Sequence, residues 1–237
     1  MYSFDSRIRY SEVDQKGNLT FSSLLDYFQD CSTFHSEDVK VGIDFLQQNQ
    51  MAWVLISWQI EAARFPRLGE HVTIGTWPYA FNGFYGNRNF TLTDQEGNLA
   101  AWANSLWVLM DLKRNRPARL MSQMKEAYVL EPALPMHVAS RKMALPEGME
   151  EQPPFAVHKF HLDTNQHVNN GKYILMAQEY LPPGFQIKRM RAEYKKSAVY
   201  GDIIYPSVAV TENQVVVALR DNDGKPFTIV ELERKDD

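Results

Sequence analysis

With 237 residues, 44 % of them hydrophobic, and a net charge of −4, the chain has a globular composition large enough for one big domain or two small ones. So modest a charge demands neither nucleic acid nor an anionic membrane as partner, and no window reaches the roughly 18 apolar residues of a membrane span. Cys31 is the single cysteine, which excludes an internal disulfide and a thiolate metal cluster; with no apolar signal run in MYSFDSRIRY, the expected compartment is the cytoplasm.

Arg7 to Val13 is expected as a short strand, followed by the polar turn DQKGN and by Thr20 as a helix N-cap. Leu24, Leu25, Phe28, Cys31 and His35 recur at helical spacing, a wide apolar stripe in which Cys31 is a core residue rather than a nucleophile. Glu37 to Gln50 is polar and reads as a connection. MAWVLISWQIEA, from Met51, is rich in β-branched and aromatic residues and suits a strand covered on both faces. Val72–Tyr79, Arg88–Thr93 and Ala100–Met110 are further strands, the last two joined at Asp94–Asn98, where Gly97 can take a positive φ. Six of the twelve prolines lie between Pro117 and Pro154, so the interdomain connection is placed there. The pattern then restarts with a strand to Leu162, a polar turn, a helix from Asn170 to Tyr180 stopped by Pro182 and Pro183, and strands near Ile187–Lys195, Ile203–Val210, Val215–Arg220 and Pro226–Glu233.

The restart is a repeat. VDQKGNLTFSSLL from Val13 lies over LDTNQHVNNGKYI from Leu162, RLGEHV over VYGDII, and TDQEGN over RDNDGK, at offsets falling from 149 to 132 to 127. One duplicated unit with trimmed loops gives a shrinking offset in constant order. The predicted organisation is an N-terminal unit over 1–116, a linker over 117–153 and a C-terminal unit over 154–237. Each unit reads as a strand, an apolar helix and several antiparallel strands. That pattern predicts an α+β protein of two hotdog units in tandem, each a curved antiparallel sheet wrapped around a central helix.

The chemistry concentrates in HLDTNQHVNNGKY, 161–173. If Asp163 to Asn169 is extended, Asp163, Asn165, His167 and Asn169 share one side and offer a carboxylate, two amides and an imidazole. A polar turn that merely caps the next helix is the alternative, with Asn169 or Asn170 as cap. The repeat weighs against it: the first copy has Asp14, Lys16, Asn18 and Thr20 at these positions and no imidazole. One active site, in the C-terminal unit, is expected. His158 and His161 stand an odd number of residues apart on an expected strand, so no metal site is assigned, and no phosphate-binding or nucleophile-elbow motif occurs. No cofactor is implied.

HLDTNQHVNN, EYKKSAVYGD (193–202) and the two-unit layout together resemble the acyl-acyl carrier protein thioesterases of plants and bacteria. The resemblance implies hydrolysis of a fatty acyl carrier protein to a free fatty acid, with an N-terminal unit that shapes the acyl pocket and with Asp163, Asn165 and His167 at the catalytic positions. The implied partner is an acyl carrier protein bearing a phosphopantetheine-linked acyl chain, with no nucleic acid and no membrane span, acting on a monomer or a homodimer of double units. Plant members carry an acidic residue and then cysteine where this chain has Ser197 and Ala198. Asp163 therefore becomes the leading candidate for activating water, with Glu193 its substitute and Asn169 and Ser197 in support, while the division of labour between Asp163 and His167 stays open. Met51, Trp53, Leu55 and Trp58 are candidates for an acyl tunnel or for ordinary core. The basic runs Lys113, Arg114, Arg116, Arg119 and Lys188, Arg189, Arg191, Lys195, Lys196 would dock an acidic carrier protein or form a solvated face. An acyl-CoA thioesterase and a non-catalytic acyl-thioester binding protein are the competing readings. A hydratase on the same fold is disfavoured because Gln166 alone separates Asn165 from His167.

Overall fold

A computed structural model describes residues 1–235. The chain divides into two compact units: Met1–Ile56 with Ile60–Val138, and Ser57–Gln59 with the chain from Ala139 onward. In chain order the first carries β1 (Tyr2–Arg7), α1 (Phe21–Asp38), α2 (Ile43–Gln48), β2 (Met51–Ala62), β3 (His71–Asn82), β4 (Tyr85–Asp94), β5 (Leu99–Asp111), β6 (Arg116–Pro117) and α3 (Ser122–Ala127). The second carries β7 (Glu150–Glu151), β8 (Phe155–Ala156), α4 (Asn170–Gln178), β9 (Ile187–Tyr194), β10 (Ile203–Val210), β11 (Gln214–Arg220) and β12 (Pro226–Arg234).

In the first unit the strands run β1-β3-β4-β5-β2, with antiparallel ladders joining β1 to β3, β3 to β4 and β4 to β5. The helix α1 starts at Thr20, whose hydroxyl caps the Ser23 N–H, and packs on β1 and β3. It buries Leu24, Leu25, Phe28 and Cys31, the stripe expected from their spacing, and the Phe28 ring meets Phe90 of β4 at 5.3 Å. Each such apolar side chain contributes about 1.5–3 kcal/mol of transfer free energy. In the second unit the strands run β9-β12-β11-β10, with β7 and β8 both paired to β10, and α4 packs on β11 and β12. Tyr173, Ile174, Met176 and Ala177 of α4 are buried. Each unit is a hotdog, a helix held in an antiparallel sheet.

The repeat survives at the level of single hydrogen bonds. Ile8 N–H to the Glu70 carbonyl matches Val157 N–H to Asp202, Thr20 to Glu12 matches Asn169 to His161, and Leu19 to Pro66 matches Val168 to Ala198. Positions 8 and 157 lie 149 apart, and 66 and 198 lie 132 apart, the separations found in the sequence.

Several local expectations are corrected. The strand expected over Arg7–Val13 ends at Arg7, and Tyr10–Glu12 is a single 3₁₀ turn; likewise the strand expected to reach Leu162 is a 3₁₀ turn over Lys159–His161. In both turns the N-cap amide is taken by the side chain of the third turn residue, Glu12 Oε2 on Arg9 N–H at 2.8 Å and His161 Nδ1 on His158 N–H at 3.0 Å. These local bonds replace ladder bonds and end the strand. The polar stretch 37–50 is not a plain connection but contains α2, and the proline-rich stretch contains α3. Met124 and Tyr128 in that stretch close a small core with Val41, Leu109 and Leu120, a tertiary contact that no period announces.

Candidate active site

The candidate residues sit in a tight reversal rather than on an extended strand. Leu162 and Val168 pair antiparallel, Asp163 N–H donates to the His167 carbonyl at 2.8 Å, and Gln166 takes φ +61°. The alternation of Asp163, Asn165, His167 and Asn169 along one face, which an extended chain would give, therefore does not apply. Asp163 organises it, since its Oδ1 accepts the N–H groups of Asn165 at 2.8 Å and of His167 at 3.3 Å.

Asp14 does the same in the first copy, accepting from Lys16 and Asn18, both at 2.9 Å. The shared aspartate thus has a structural duty in both copies. What differs is what the turn displays. The side chains of Asn165 and His167 are exposed and make no hydrogen bond among the described residues, so the His167 imidazole is not tied to the Asp163 carboxylate.

Three residues beyond His167, α4 begins. Of the two candidates Asn169 and Asn170, it is Asn169 that caps it, its Oδ1 accepting from Gly171 N–H at 2.8 Å. The Asn170 N–H has no acceptor among the described residues, so the helix start presents a free donor and the positive end of its dipole beside the turn. Against this stretch lies 197–199: Val168 N–H donates to the Ala198 carbonyl at 2.9 Å and His167 bridges Val199, which brings exposed Ser197 to the turn.

Two tyrosines, which the sequence reading passed over as parts of apolar or strand runs, fix this geometry. The Tyr173 hydroxyl of α4 accepts the Ala198 N–H at 2.8 Å, and the Tyr194 hydroxyl of β9 donates to the Asn170 carbonyl at 3.1 Å. Burial pushes the Tyr173 phenol up to about 12 and the Tyr194 phenol higher, so both remain neutral pins. The available signal was a tyrosine in an otherwise apolar helix, YILMA, because a buried hydroxyl needs a partner.

Glu193 is not brought to the turn. Its neighbour Tyr194 reaches α4, so Glu193 faces the other side of β9, where its carboxylate is held by Met143 N–H at 3.0 Å and Lys195 Nζ at 2.8 Å. His158 and His161 stay apart from His167 in role. The N–H of His158 fixes the neutral form of His161, and burial, with His158 and Lys172 nearby, lowers its basicity. No group of three metal-ligating side chains occurs among the described residues.

Met51 and Trp53 pack against the Val41–Leu109–Tyr128 core, and Leu55 and Trp58 are buried at 2 % exposure. Several basic candidates are already paired: Arg114 with Asp111, Arg189 with Glu233, Arg191 with Glu231, Lys195 with Glu193 and Lys196 with Asp221. Lys188 also has a partner, while Arg116 and Arg119 are exposed.

Residues 1–128 match the acyl-ACP thioesterase N-terminal domain and residues 146–228 the acyl-ACP thioesterase C-terminal domain. The chain belongs to the acyl-ACP thioesterase family. This thioesterase-family chain is 24 % identical over 240 residues to an oleoyl-acyl carrier protein thioesterase of Arabidopsis thaliana, covering 92 % of itself and 65 % of that protein. It is 25 % identical over 193 residues to a palmitoyl-acyl carrier protein thioesterase of Cuphea hookeriana, covering 74 % of itself and 46 % of that protein. It therefore spans about half to two-thirds of these relatives. Among solved structures, an acyl-ACP thioesterase from Bacteroides thetaiotaomicron shares the fold with a TM-score of 0.89 at 24 % identity, over 98 % of this chain and 97 % of the other. A 12:0-ACP thioesterase from Umbellularia californica shares it with a TM-score of 0.88 at 19 % identity, over 99 % and 96 %.

Proposed function

We propose that this chain hydrolyses the thioester of a fatty acyl carrier protein to a free fatty acid and the carrier thiol, as a step of fatty acid synthesis, with its active site at 163–170. The observation that carries the reading is the unequal duplication: the same turn, bond for bond, displays an imidazole with no hydrogen-bond partner among the described residues only in the second copy, beside the Asn165 amide and the first N–H of α4. Family membership supports it.

In this mechanism the thioester carbonyl oxygen lies at the Asn170 N–H, which stabilises the developing oxyanion; loss of such a donor costs about 2.7–4 kcal/mol elsewhere. A water attacks the carbonyl carbon and gives its proton to His167. The tetrahedral intermediate collapses with cleavage of the carbon–sulfur bond, and the sulfur takes up the proton from His167. Asp163 holds the turn with Oδ1 and offers the charge of Oδ2 to the imidazolium, while Asn165 orients water. Positioned acid–base groups of this kind supply roughly 10²- to 10⁴-fold.

A second reading, hydrolysis of acyl-CoA, gains weight from the ion pairs of Arg189, Arg191, Lys195 and Lys196, which leave less free positive charge to meet an acidic carrier. Purified protein assayed for free thiol on carrier-protein and CoA thioesters of one acyl chain decides between them. Preference for the carrier-protein ester is expected. Release from CoA alone would establish the second reading, and tight acyl binding with no thiol from either would make the chain a binding protein.

A further inference from the structure

Among the described residues, four turns share one design. Asp14, Asp94, Asp163 and Asp221 each donate their N–H to the carbonyl four residues on, at Asn18, Asn98, His167 and Lys225. Each also accepts that residue's N–H on Oδ1. The fourth residue of each turn is left-handed: Gly17 at φ +77°, Gly97 at +84°, Gly224 at +75° and Gln166 at +61°.

Three turns thus use the residue that adopts this conformation without steric cost, and one does not. Space is not the reason for glycine, because a Cβ on Gly17, Gly97 or Gly224 would meet nothing within 4 Å. The other left-handed non-glycine residues, Lys40, Gln50 and Asn115, lie in different settings, just after α1, just after α2 and between β5 and β6. Nor does the fold compensate at 166, since the Gln166 side chain is exposed and makes no hydrogen bond among the described residues. The turn that carries a strained residue is the one that displays His167.

We propose that Gln166 is a substrate-binding residue whose carboxamide pairs with the pantetheine arm of the thioester; the inference rests on the thioesterase reading above. A primary amide offers an acceptor and two donors, and the secondary amides of pantetheine offer both complements. Gln166 stands next to the residue that would protonate the leaving sulfur, which is the end of the substrate where that arm begins. A glycine here would keep the turn and lose the contact.

The experiment compares wild type, Gln166→Gly and Gln166→Asn on two esters of one acyl chain, pantetheine and mercaptoethanol, the latter having no amide. Gln166→Gly should raise the melting midpoint by about 2–4 °C as strain is relieved. Its KM for the pantetheine ester should rise about 2- to 10-fold relative to that for the mercaptoethanol ester, as for loss of one or two hydrogen bonds. Gln166→Asn, which tolerates the left-handed conformation with a shorter arm, should fall between. Equal losses on both esters, or none on either, would overturn the proposal. A wild type that turns over neither ester nor acyl carrier protein would instead overturn the thioesterase reading, and this proposal with it.

Discussion

The turn at Asp14 and the turn at Asp163 share a backbone: an aspartate accepts two N–H groups, the chain reverses, and a capped helix starts three residues later. In the first copy Asn18 precedes an eighteen-residue helix; in the second His167 precedes one of nine. The comparison teaches which groups belong to folding and which are surplus to it. Asp163, Val168 and Asn169 do what Asp14, Leu19 and Thr20 do. Asn165, Gln166 and His167 have no structural task that the first copy shows to be necessary.

The sharpest way to break the comparison is to remove the surplus imidazole. His167→Ala is expected to lower kcat/KM by about 10²- to 10⁴-fold with an unchanged melting midpoint, while Asn18→Ala leaves turnover within about 2-fold. Equal effects in steady-state kinetics would show that the copies are not differentiated. Asp163→Asn separates charge from turn, because an amide oxygen can accept the same two N–H groups. Activity should fall about 10-fold, the effect of one charge on a neighbouring imidazolium worth about 1.4 kcal/mol, and Asp14→Asn should have no kinetic effect.

A smaller effect is expected from the pins that only the second copy has. Tyr173→Phe leaves the buried Ala198 N–H without an acceptor, at a cost of about 1–3 kcal/mol, and should lower the thermal midpoint by several degrees. If calorimetry showed no change, the pin would be redundant.

The smallest effect lies in the first unit, where His35 is held to about 4 by burial first and by Arg88 second, with Arg88 Nη1 at 3.0 Å from its Nδ1. The unfolded histidine takes up a proton near 6.5, the folded one only near 4, so between those values the unfolded state binds more protons. The contribution is complete above about 6.5 and is lost as pH falls toward 4. Arg88→Met should move the His35 titration upward in NMR spectra; an unmoved titration would assign the shift to burial alone.

Much of this was legible in the sequence because duplication supplied its own control. The apolar stripe of α1, the strands Ile203–Val210 and, to within one residue, Pro226–Glu233, and the paired turns all follow from periodicity or from the offsets. The polar turn after Leu162 is legible, but the one-face alternation of Asp163, Asn165, His167 and Asn169 holds only for an extended chain, and the counterpart DQKGN, with a glycine at the left-handed position, argues for the reversal. Gln166 hid the same backbone behind a residue that rarely adopts it. For Glu193 the sequence leaves open which face of β9 meets α4, and the contact of Tyr194 with Asn170 decides it.

What the sequence determined alone is therefore local and repetitive: two copies of a unit, a richer turn in the second, a cap at Asn169 or Asn170. Those properties depend on bonds between residues a few positions apart and on the 3.6 and 2.0 periods of helix and strand. Which groups stand free at the turn, and which are consumed in holding it, depends on contacts between segments about 25 to 50 residues apart, such as Ala198 with Tyr173 and Met143 with Glu193. No periodicity encodes such contacts, so only the tertiary structure could separate His167, left unpaired, from Glu193, already in use.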